Sequence, residues 1–382
     1  MKIMFIVNSL DVGGTERMVL KLATNKIFID DQIIIVTLTS GRKLVSEFSK
    51  INFKIFSLGL SHNPFTWFKT FKLIFLTLKI KPDVIHSWLY QSDIVSILTK
   101  IFYKKCSIIW SLRQSNLSKK HNKLSTRFCM KVCAFLSNSI PNAIISNAIK
   151  AKEAHISIGY AEKKIKIIPN GFSSSEFFYD KRGASKIRSE IGIDFNIPLV
   201  GIVGRYNSQK NYSGFFEIAK IIQLSIPNIH FCLVGKDITL DNPRLKSMIQ
   251  TNAINSNQIH CLGERKDIKN IMSALDILAL PSEGEAFPNV IGEAMLCETP
   301  CVVNNVGDCA QIIGPTGKKV KVGEIYDFAK KIMEILSLSK LKKNKIGKSA
   351  RYQIKKFYDI DKIAKRYRDF YLNFNSQKKE KR

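Results

Sequence analysis

Short, nearly continuous apolar runs alternate with longer mixed segments along the first half of the chain. The seven runs read KIMFIVNS, QIIIVTL, NFKIFSL, PDVIHS, CSIIWSL, NAIISNA and KIKIIPN. Nearly continuous apolar runs are typical of parallel strands that are buried on both faces of a sheet. The segments between them are long enough to form crossover helices. The first half therefore predicts a doubly wound α/β domain.

The same alternation returns in the second half, where strands are predicted at IPLVGIVGR, IHFCLVGK, QIHCLGE, LDILALPS and TPCVVNN. The join falls in PNGFSSSEFFYDKRGASKIRSE, where serine, glycine and charge replace the apolar runs. We predict one Rossmann-like domain over residues 1–180, a second over 181–356, and a terminal helix with a basic tail over 357–382 that packs back on the first domain. Two such domains facing one another leave a cleft at the carboxyl ends of their strands, where this fold class binds ligands.

The charge of the chain is strongly positive, with 60 Lys+Arg against 31 Asp+Glu in 382 residues, a formal net charge of +29. No acidic residue occurs between Asp93 and Glu153, although lysine and arginine recur there. A field of this sign favours an anionic partner, which is nucleic acid, a phospholipid surface or a phosphorylated substrate. A lysine-rich composition on a solvated surface is the alternative.

One segment, residues 63–83, is apolar but interrupted by Lys69, Lys72 and Lys79, so it does not predict a transmembrane helix. It predicts an amphipathic basic helix with the lysines on one face. The apolar residues fall on another face: Phe68, Phe71, Phe75 and Leu78. Such a helix either lies on an anionic membrane or packs its apolar side on the sheet.

The cysteines and the chain start favour the cytoplasm. Eight cysteines are scattered without a Cys-x-x-Cys pair or a histidine at zinc spacing, which is typical of reduced thiols. The opening MKIMFIVNSLDVGGTERMV has an apolar run of only a strand's length and no cleavage site. We therefore expect a cytoplasmic protein.

Charged residues follow two predicted strands of the second domain. Arg205 and Lys210 lie in GRYNSQKN, where two cations on one loop suit a diphosphate. Glu285 follows LDILALPS, and Glu293 lies one turn inside a helix that we expect to begin near Val290. The first turn of that helix is an anion site, and each carboxylate can accept hydrogen bonds from sugar hydroxyls. The alternative interpretation is that Glu285 is a solvated loop residue and that Glu293 is a charge favoured by the helix dipole.

Several blocks, in order over nearly the whole chain, resemble the family 4 glycosyltransferases, retaining nucleotide-sugar enzymes of the GT-B fold. The blocks are DVGGTERMVLKLA, IIPNGF, GRYNSQKN, CLVGK, LGERKDI, LPSEGEAFPNVIGEAMLCETPCV and the closing aromatic helix. The two glutamates eight residues apart, with arginine and lysine upstream, are the specific part of this pattern. The Gly-Gly loop alone is not specific.

The resemblance assigns a role to each matching residue. Gly13 and Gly14 match the glycine loop of an acceptor-side domain, where backbone approaches the donor diphosphate and the acceptor. In the nucleotide-sugar-binding domain, the cations match groups that neutralise the departing diphosphate, the first glutamate contacts the transferred sugar and the second holds the nucleotide ribose. The turn from Ala286 through Phe287 and Pro288 to Asn289 would offer backbone N–H groups to the sugar and the phosphate.

The chemistry that the resemblance implies is sugar transfer with retention of the anomeric configuration. In this family the leaving phosphate is thought to take the proton of the acceptor, so no cofactor and no metal are expected. The only Asp-x-Asp, residues 359–361, is better explained as a helix N-cap. A UDP-sugar is expected as the common donor, with the acceptor-side cations favouring a lipid-linked or surface-polysaccharide glycan at the inner face of the membrane.

The chain departs from the family pattern at three places. Ala286 and Glu298 replace usual glycines, and Arg113 stands where many members carry a histidine. Arginine cannot act as a base, but it can bind an anionic acceptor such as a lipid-linked pyrophosphate. His86 remains the other acceptor-side candidate, and the alternative is that it is a core histidine at a strand end.

Two other functions compete with sugar transfer. They are a nucleotide-sugar epimerase of the same fold and a basic nucleic-acid-binding protein.

Overall fold

A computed structural model describes residues 1–11, 13–41, 43–45, 53–61, 63–119 and 122–380, which divide into two compact units. Unit 1 comprises Met1–Gly171 and Ile360–Arg382, and unit 2 comprises Phe172–Asp359. The chain therefore enters unit 2 at Phe172 rather than near residue 180. The reason is local: the Phe172 N–H donates to the Tyr358 carbonyl at 2.8 Å, within unit 2.

Within the described residues, unit 1 contains a seven-stranded sheet in the order β3-β2-β1-β4-β5-β6-β7, with every pair parallel. Its strands are β1 Lys2–Val7, β2 Gln32–Thr37, β3 Lys54–Ser57, β4 Val84–Trp88, β5 Ser107–Leu112, β6 Ala143–Ser146 and β7 Ile165–Ile167. All seven coincide with the predicted apolar runs. The strand order reverses between β1 and β4, as in a doubly wound sheet.

Helices cover both faces of this sheet. They are α1 Gly14–Ala23, α2 Phe71–Ile80, α3 Tyr90–Phe102, α4 Leu124–Leu136 and α5 Ile149–Ile156. One apolar cluster joins one face of the sheet to α2, α3 and α4, and a second joins the other face to α1 and to the terminal helix α14, Ile360–Glu380. The last helix of the chain therefore belongs to unit 1.

Four side chains of α14 are almost completely buried in the second of these clusters: Ile363, Ala364, Tyr367 and Tyr371. At the start of α14, Asp361 accepts a hydrogen bond from Asn25 and pairs with Lys26, both at 2.8 Å. These contacts fix the helix on the first sheet, although it is the last element of the chain.

In the described part of unit 2, a six-stranded parallel sheet has the order β10-β9-β8-β11-β12-β13. Its strands are β8 Leu199–Val203, β9 His230–Val234, β10 Ile259–Cys261, β11 Ile277–Leu280, β12 Cys301–Asn304 and β13 Lys318–Val320. The first five were predicted. The edge strand β13 was missed because its three residues include two exposed lysines.

Helices α6 to α13 complete unit 2. Their bounds are α6 Lys181–Glu190, α7 Tyr212–Ser225, α8 Pro243–Thr251, α9 Ile268–Ala274, α10 Asn289–Leu296, α11 Cys309–Ile313, α12 Ile325–Leu336 and α13 Lys340–Phe357. The two parallel-sheet α/β domains confirm the predicted fold class. Over the ranges that the structure describes, no helix combines the length and apolar character needed to cross a bilayer.

Candidate functional site

Two loops at the carboxyl edge of the second sheet lie side by side because β8 and β11 are paired neighbours. The Glu283 N–H donates to the Gln209 carbonyl at 2.8 Å, and the Asn211 side-chain amide donates to the Pro281 carbonyl at 3.3 Å. The loop after β8 is therefore fixed against the loop after β11. The carboxyl edge of a parallel sheet is where ligands bind in this fold class.

The adjacent loops bring Lys210 and Glu285 into contact. Lys210 Nζ lies 2.7 Å from Glu285 Oε1, and the Ser282 hydroxyl donates to the same oxygen at 2.9 Å. The two charged side chains are 18% and 13% exposed. Lys210 ends a 3-10 helix, and Asn211 follows it in the left-handed region with φ of 53°, where it caps α7 by accepting from the Gly214 N–H.

The helix that carries Glu293 begins at Asn289, with Pro288 in an extended conformation before it and without a side-chain cap. The positive end of the helix dipole at this N-terminus favours an anion. Phe172 stacks on Phe287 with ring centroids 6.1 Å apart, and it contacts Gly292 so closely that a Cβ there would lie 2.4 Å from the ring. This packing fixes the start of α10, one turn before half-buried Glu293.

A third loop, which sequence reasoning missed, supports Glu285 from behind. Gly307 has φ of +51°, and a Cβ there would lie 2.1 Å from the Glu285 carbonyl oxygen. The Asp308 N–H donates to the Ala286 carbonyl at 2.9 Å, and the Asn304 side-chain amide donates to the Pro281 carbonyl at 2.9 Å. The signal was present in NNVGD after β12, where a glycine follows a predicted strand end.

Arg205 lies apart from this pair. It is exposed on the loop after β8, and among the described residues its side chain has no hydrogen bond or ion pair. The backbone around it is held by the Tyr206 N–H, which donates to the Lys236 carbonyl at 2.9 Å. Gly235 makes this approach possible, since a Cβ there would lie 2.0 Å from the Gly204 carbonyl oxygen.

In unit 1, His86 lies inside the core at the middle of β4. It is fully buried, and its ring nitrogens lie 2.7 Å from the Tyr371 hydroxyl and 2.6 Å from the Ser111 hydroxyl. Trp88 stacks on the ring at 4.6 Å. Burial, and then the charge of Arg113, lower the pKa of His86 well below its usual value, so the ring is neutral. Its predicted role toward an acceptor stays a prediction, and direct contact would require this packing to open.

Arg113 follows β5 and is held from three sides. Its two terminal nitrogens donate to Asn170 Oδ1 at 2.6 Å and to the Tyr367 hydroxyl at 2.8 Å, and its guanidinium lies 4.1 Å from the centre of the Trp88 ring. Its Nε is buried without a partner in the described part of the chain. Because Tyr367 belongs to α14, the last helix of the chain orients this arginine.

Gly13 and Gly14 lie where β1 leads into α1. Gly13 is the N-cap in an extended conformation, and Gly14 is the first residue of the helix. A Cβ at Gly13 would lie 2.2 Å from a carboxylate oxygen of Glu16, so a side chain there would displace Glu16. Their predicted part in binding donor and acceptor stays a prediction.

Two of the departures from the family pattern differ in backbone conformation. Ala286 has no positive φ, so a Cβ is tolerated at this position. Glu298 has φ of 63° directly after the C-cap of α10, a conformation that favours glycine. The first substitution therefore fits the backbone without strain, and the second does not.

A doubly wound pair of domains with charged strand-end loops is an arrangement of nucleotide-binding α/β enzymes. Two family models match the chain: the description "Glycosyltransferase Family 4" over residues 12–176 and "Glycosyl transferases group 1" over residues 197–338. Together they cover most of both units. The chain belongs to the family 4 glycosyltransferases.

Curated relatives agree with this assignment. An N,N'-diacetylbacillosaminyl-diphospho-undecaprenol alpha-1,3-N-acetylgalactosaminyltransferase of Campylobacter jejuni is 27% identical over 81% of this chain and 82% of that enzyme. A UDP-Gal:alpha-D-GlcNAc-diphosphoundecaprenol alpha-1,3-galactosyltransferase of Escherichia coli is 29% identical, and the match spans 55% of this chain and about half, 54%, of that enzyme.

Solved structures show the same fold. A crystal structure of Anabaena HepE in complex with UDP and glucose has a TM-score of 0.83, with 23% identity over 98% of this chain and 100% of that one. A sucrose-phosphate synthase from Thermosynechococcus elongatus has a TM-score of 0.79, with 16% identity over 99% of this chain and 100% of that one. The chain therefore has the GT-B fold.

Proposed function

We propose that this protein transfers one sugar, with retention, from a UDP-sugar to a lipid-linked glycan acceptor. The observation that carries the proposal is the contact of Lys210 with Glu285 at 2.7 Å, at the carboxyl edge of the second sheet. Helix α10 begins four residues after Glu285, so the positive end of its dipole lies at the same loop. An ammonium, a carboxylate and a helix N-terminus together suit a diphosphate attached to a sugar.

In the proposed donor complex the charges of this site change partners. The β-phosphate takes the Lys210 ammonium, which releases Glu285 to accept hydrogen bonds from hydroxyls of the transferred sugar. Glu293, one turn into α10, holds the ribose of the nucleotide. Arg205 lies on the same loop as Lys210 and is exposed, so it reaches the diphosphate by a change of side-chain rotamer.

Charge development explains why cations are needed at this site. Cleavage of the glycosidic bond leaves negative charge on the diphosphate and positive charge on the sugar ring. Once the donor is bound, Lys210, Arg205 and the α10 N-terminus surround the diphosphate and stabilise the charge that develops on it. In the proposed reaction the leaving phosphate accepts the acceptor's proton on the same face of the sugar, and no metal ion takes part.

Arg113 is the proposed contact for the anionic end of the acceptor. The names of the Campylobacter and Escherichia coli relatives specify diphospho-undecaprenol acceptors. A guanidinium suits a diphosphate, and Asn170, Tyr367 and Trp88 hold this one in place. His86 would then act as a positioning residue, because it contacts Trp88 and Tyr371 beneath the arginine.

Such an acceptor lies in the membrane, so we also propose that the enzyme is peripheral on the inner face of the cytoplasmic membrane. The excess of basic residues in unit 1 supports this location, since each lysine near anionic lipid contributes about 1 kcal/mol.

A transfer assay tests the proposed function. The purified protein is incubated with a panel of radiolabelled UDP-sugars and polyprenyl-diphospho-sugar acceptors, with EDTA present, and the products are separated and their linkage is determined by NMR. We expect one UDP-sugar to give an α-linked product. Transfer that requires added divalent metal, a β-linked product, or epimerised donor without acceptor would each contradict the proposal.

A further inference from the structure

One side of unit 1 exposes large apolar side chains among lysines. The elements that carry them are the 3-10 helix Pro64–Thr70, α2 and α4, and we call their exposed apolar and lysine side chains the basic aromatic surface. In the 3-10 helix the exposed residues are Phe65, Trp67, Phe68 and Lys69. Exposed apolar residues clustered in this way mark a binding surface more often than scattered ones do.

Helix α2 contributes a stripe of this surface. Leu73, Ile74 and Thr77 point inward and are buried, while the opposite side carries exposed residues at helical spacing. That outward stripe consists of Phe71, Lys72, Phe75, Leu78 and Lys79. Sequence reasoning had placed the phenylalanines and the lysines on separate faces and left open whether the apolar side packs on the sheet. In the structure the phenylalanines and the lysines of α2 all lie outward, and none of them packs on the sheet.

Helix α4 repeats the arrangement. Its inward side buries Met130, Cys133 and Ala134. Its outward residues recur at intervals of four, three and four positions, which is one face of a helix. They are Leu124, Phe128, Lys131 and Phe135, and Phe135 is 85% exposed.

The two stripes face the same direction. Both α2 and α4 contribute buried side chains to the apolar cluster on one face of the first sheet, and both are neighbours of α3, which lies between them. Their outward sides therefore both point away from that face. Two stripes on flanking helices form a broad surface rather than a narrow groove.

The charge around this surface is predominantly positive. From residue 48 to residue 152 the only acidic residues are Asp83 and Asp93, and Asp93 is fully buried. Asp83 accepts the backbone N–H of Lys2 at the start of the sheet. A second copy of the same surface would present like charges, so electrostatic repulsion disfavours self-association through it.

We propose that the basic aromatic surface docks on an anionic phospholipid leaflet, with its phenylalanines and Trp67 in the interfacial region and its lysines at the headgroups. Aromatic rings and lysines side by side are the composition that anionic bilayer interfaces select. This inference deepens the proposed function, since it supplies the surface that would bring unit 1 to a lipid-linked acceptor. Membrane docking itself does not require catalysis.

Tryptophan fluorescence tests the proposal directly. The chain has three tryptophans, of which Trp88 and Trp110 are fully buried and Trp67 is 47% exposed. Vesicles of phosphatidylcholine with phosphatidylglycerol should therefore shift the emission to the blue, and brominated lipids should quench it. Trp67→Phe should abolish both signals while vesicle cosedimentation persists. An unshifted emission in saturating vesicles would contradict insertion of this surface.

Cosedimentation with variants separates the aromatic and the charged contributions. The triple change Phe71→Ser, Phe75→Ser and Phe128→Ser should weaken vesicle binding by roughly a hundredfold or more, because three exposed rings are removed from the interface. The change Lys72→Glu with Lys131→Glu should remove the preference for anionic lipid. The matched control changes three even more exposed apolar residues of unit 2 to serine and should bind as wild type does: Leu224, Tyr326 and Leu341.

The outcomes distinguish this inference from the proposed function. Transfer to a water-soluble, short-chain diphospho-sugar acceptor should be unchanged in the aromatic triple variant, whereas transfer to vesicle-embedded acceptor should fall with binding. Equal vesicle binding by the triple variant and wild type would overturn the docking surface and leave the transferase proposal intact. Dimerisation through this surface in the absence of vesicles, abolished by the same triple variant, would also overturn it.

Discussion

In unit 2 the candidate charged residues lie on two loops that are hydrogen-bonded to each other, whereas in unit 1 the candidate polar residues are packed against aromatic rings. Lys210 and Glu285 satisfy each other at 2.7 Å and remain partly exposed. His86 is fully buried, and Arg113 is fixed by Asn170, Tyr367 and Trp88. The Lys210–Glu285 pair can exchange one partner for a ligand, whereas the packed guanidinium of Arg113 offers a ligand a cation in a fixed position. Changes in the two units should therefore affect different steps.

The largest effect is expected at Lys210. Lys210→Ala removes the cation proposed for the leaving diphosphate and should lower turnover by roughly a hundred- to a thousandfold. The rate with saturating donor and acceptor measures it. Lys220→Ala, which changes an exposed lysine on α7, is the matched control and should retain the wild-type rate. A Lys210→Ala enzyme that turns over like the control would place the leaving-group site elsewhere.

Substitution of Arg113 should affect the kinetics with the acceptor and leave donor binding unchanged. Arg113→Ala should lower kcat/KM for a diphosphate-bearing acceptor by about ten- to a hundredfold, because a charge-assisted contact contributes about 1.5–3 kcal/mol. UDP binding by calorimetry should not change. Arg113→Lys should recover only part of the loss, since lysine lacks the planar fork whose two terminal nitrogens reach Asn170 and Tyr367. Lys119→Ala, an exposed lysine on the same loop, controls for general loss of charge.

Equal losses in acceptor efficiency for Arg113→Ala and Lys119→Ala would indicate a diffuse field rather than a specific contact.

Acid should destabilise unit 1 through its buried histidines. Burial lowers the pKa of His155 to about 4, and the ring contacts the Tyr90 hydroxyl at 2.8 Å. Below its unfolded pKa of about 6.5 the unfolded state takes up a proton that the folded state does not. The free energy of unfolding should therefore fall by about 2 kcal/mol between about pH 7 and pH 5 from this group alone.

Urea unfolding followed by tryptophan fluorescence measures this effect, since all three tryptophans lie in unit 1. His155→Gln removes the titrating group and should flatten the pH dependence by about the same amount. A His155→Gln profile as steep as that of wild type would assign the effect to other groups.

The smallest effect is expected at Glu298 in unit 2. Glu298→Gly should raise the free energy of unfolding by about 0.5–1 kcal/mol, because the glycine relieves a left-handed conformation and this gain exceeds its cost in chain entropy. Ala286→Gly is the matched comparison and should lower stability slightly, since φ there is not positive. Thermal unfolding of the two variants checks the signs, and a stabilising Ala286→Gly would contradict the backbone explanation.

The periodicity of apolar residues predicted the secondary-structure elements that depend on local sequence. Twelve of the thirteen strands in the described ranges follow apolar runs, and the start of α10 came within one residue of the expected Val290. The edge strand β13 carries too few apolar residues to be recognised. The Gly307 loop behind Glu285 was missed because its contact joins residues that only the fold brings together.

The candidate site also has parts that the sequence predicted and parts that depend on the fold. The spacing of the two glutamates identified α10 and its loop, but the direct pairing of Lys210 with Glu285 depends on β8 lying beside β11. The outward position of the α2 phenylalanines likewise could not be read from the helix pattern. An amphipathic pattern defines two faces, and only packing decides which face the sheet covers.

Calorimetric titration of UDP into the EDTA-treated protein tests the central claim most directly, which is that unit 2 holds the diphosphate of the donor between Lys210 and the start of α10. We predict metal-free binding by wild type and by Lys220→Ala, at least tenfold weaker binding by Lys210→Ala, and weaker binding by Glu293→Gln through loss of the ribose contact. Equal affinity in all four proteins, or binding only with divalent metal, would contradict the account.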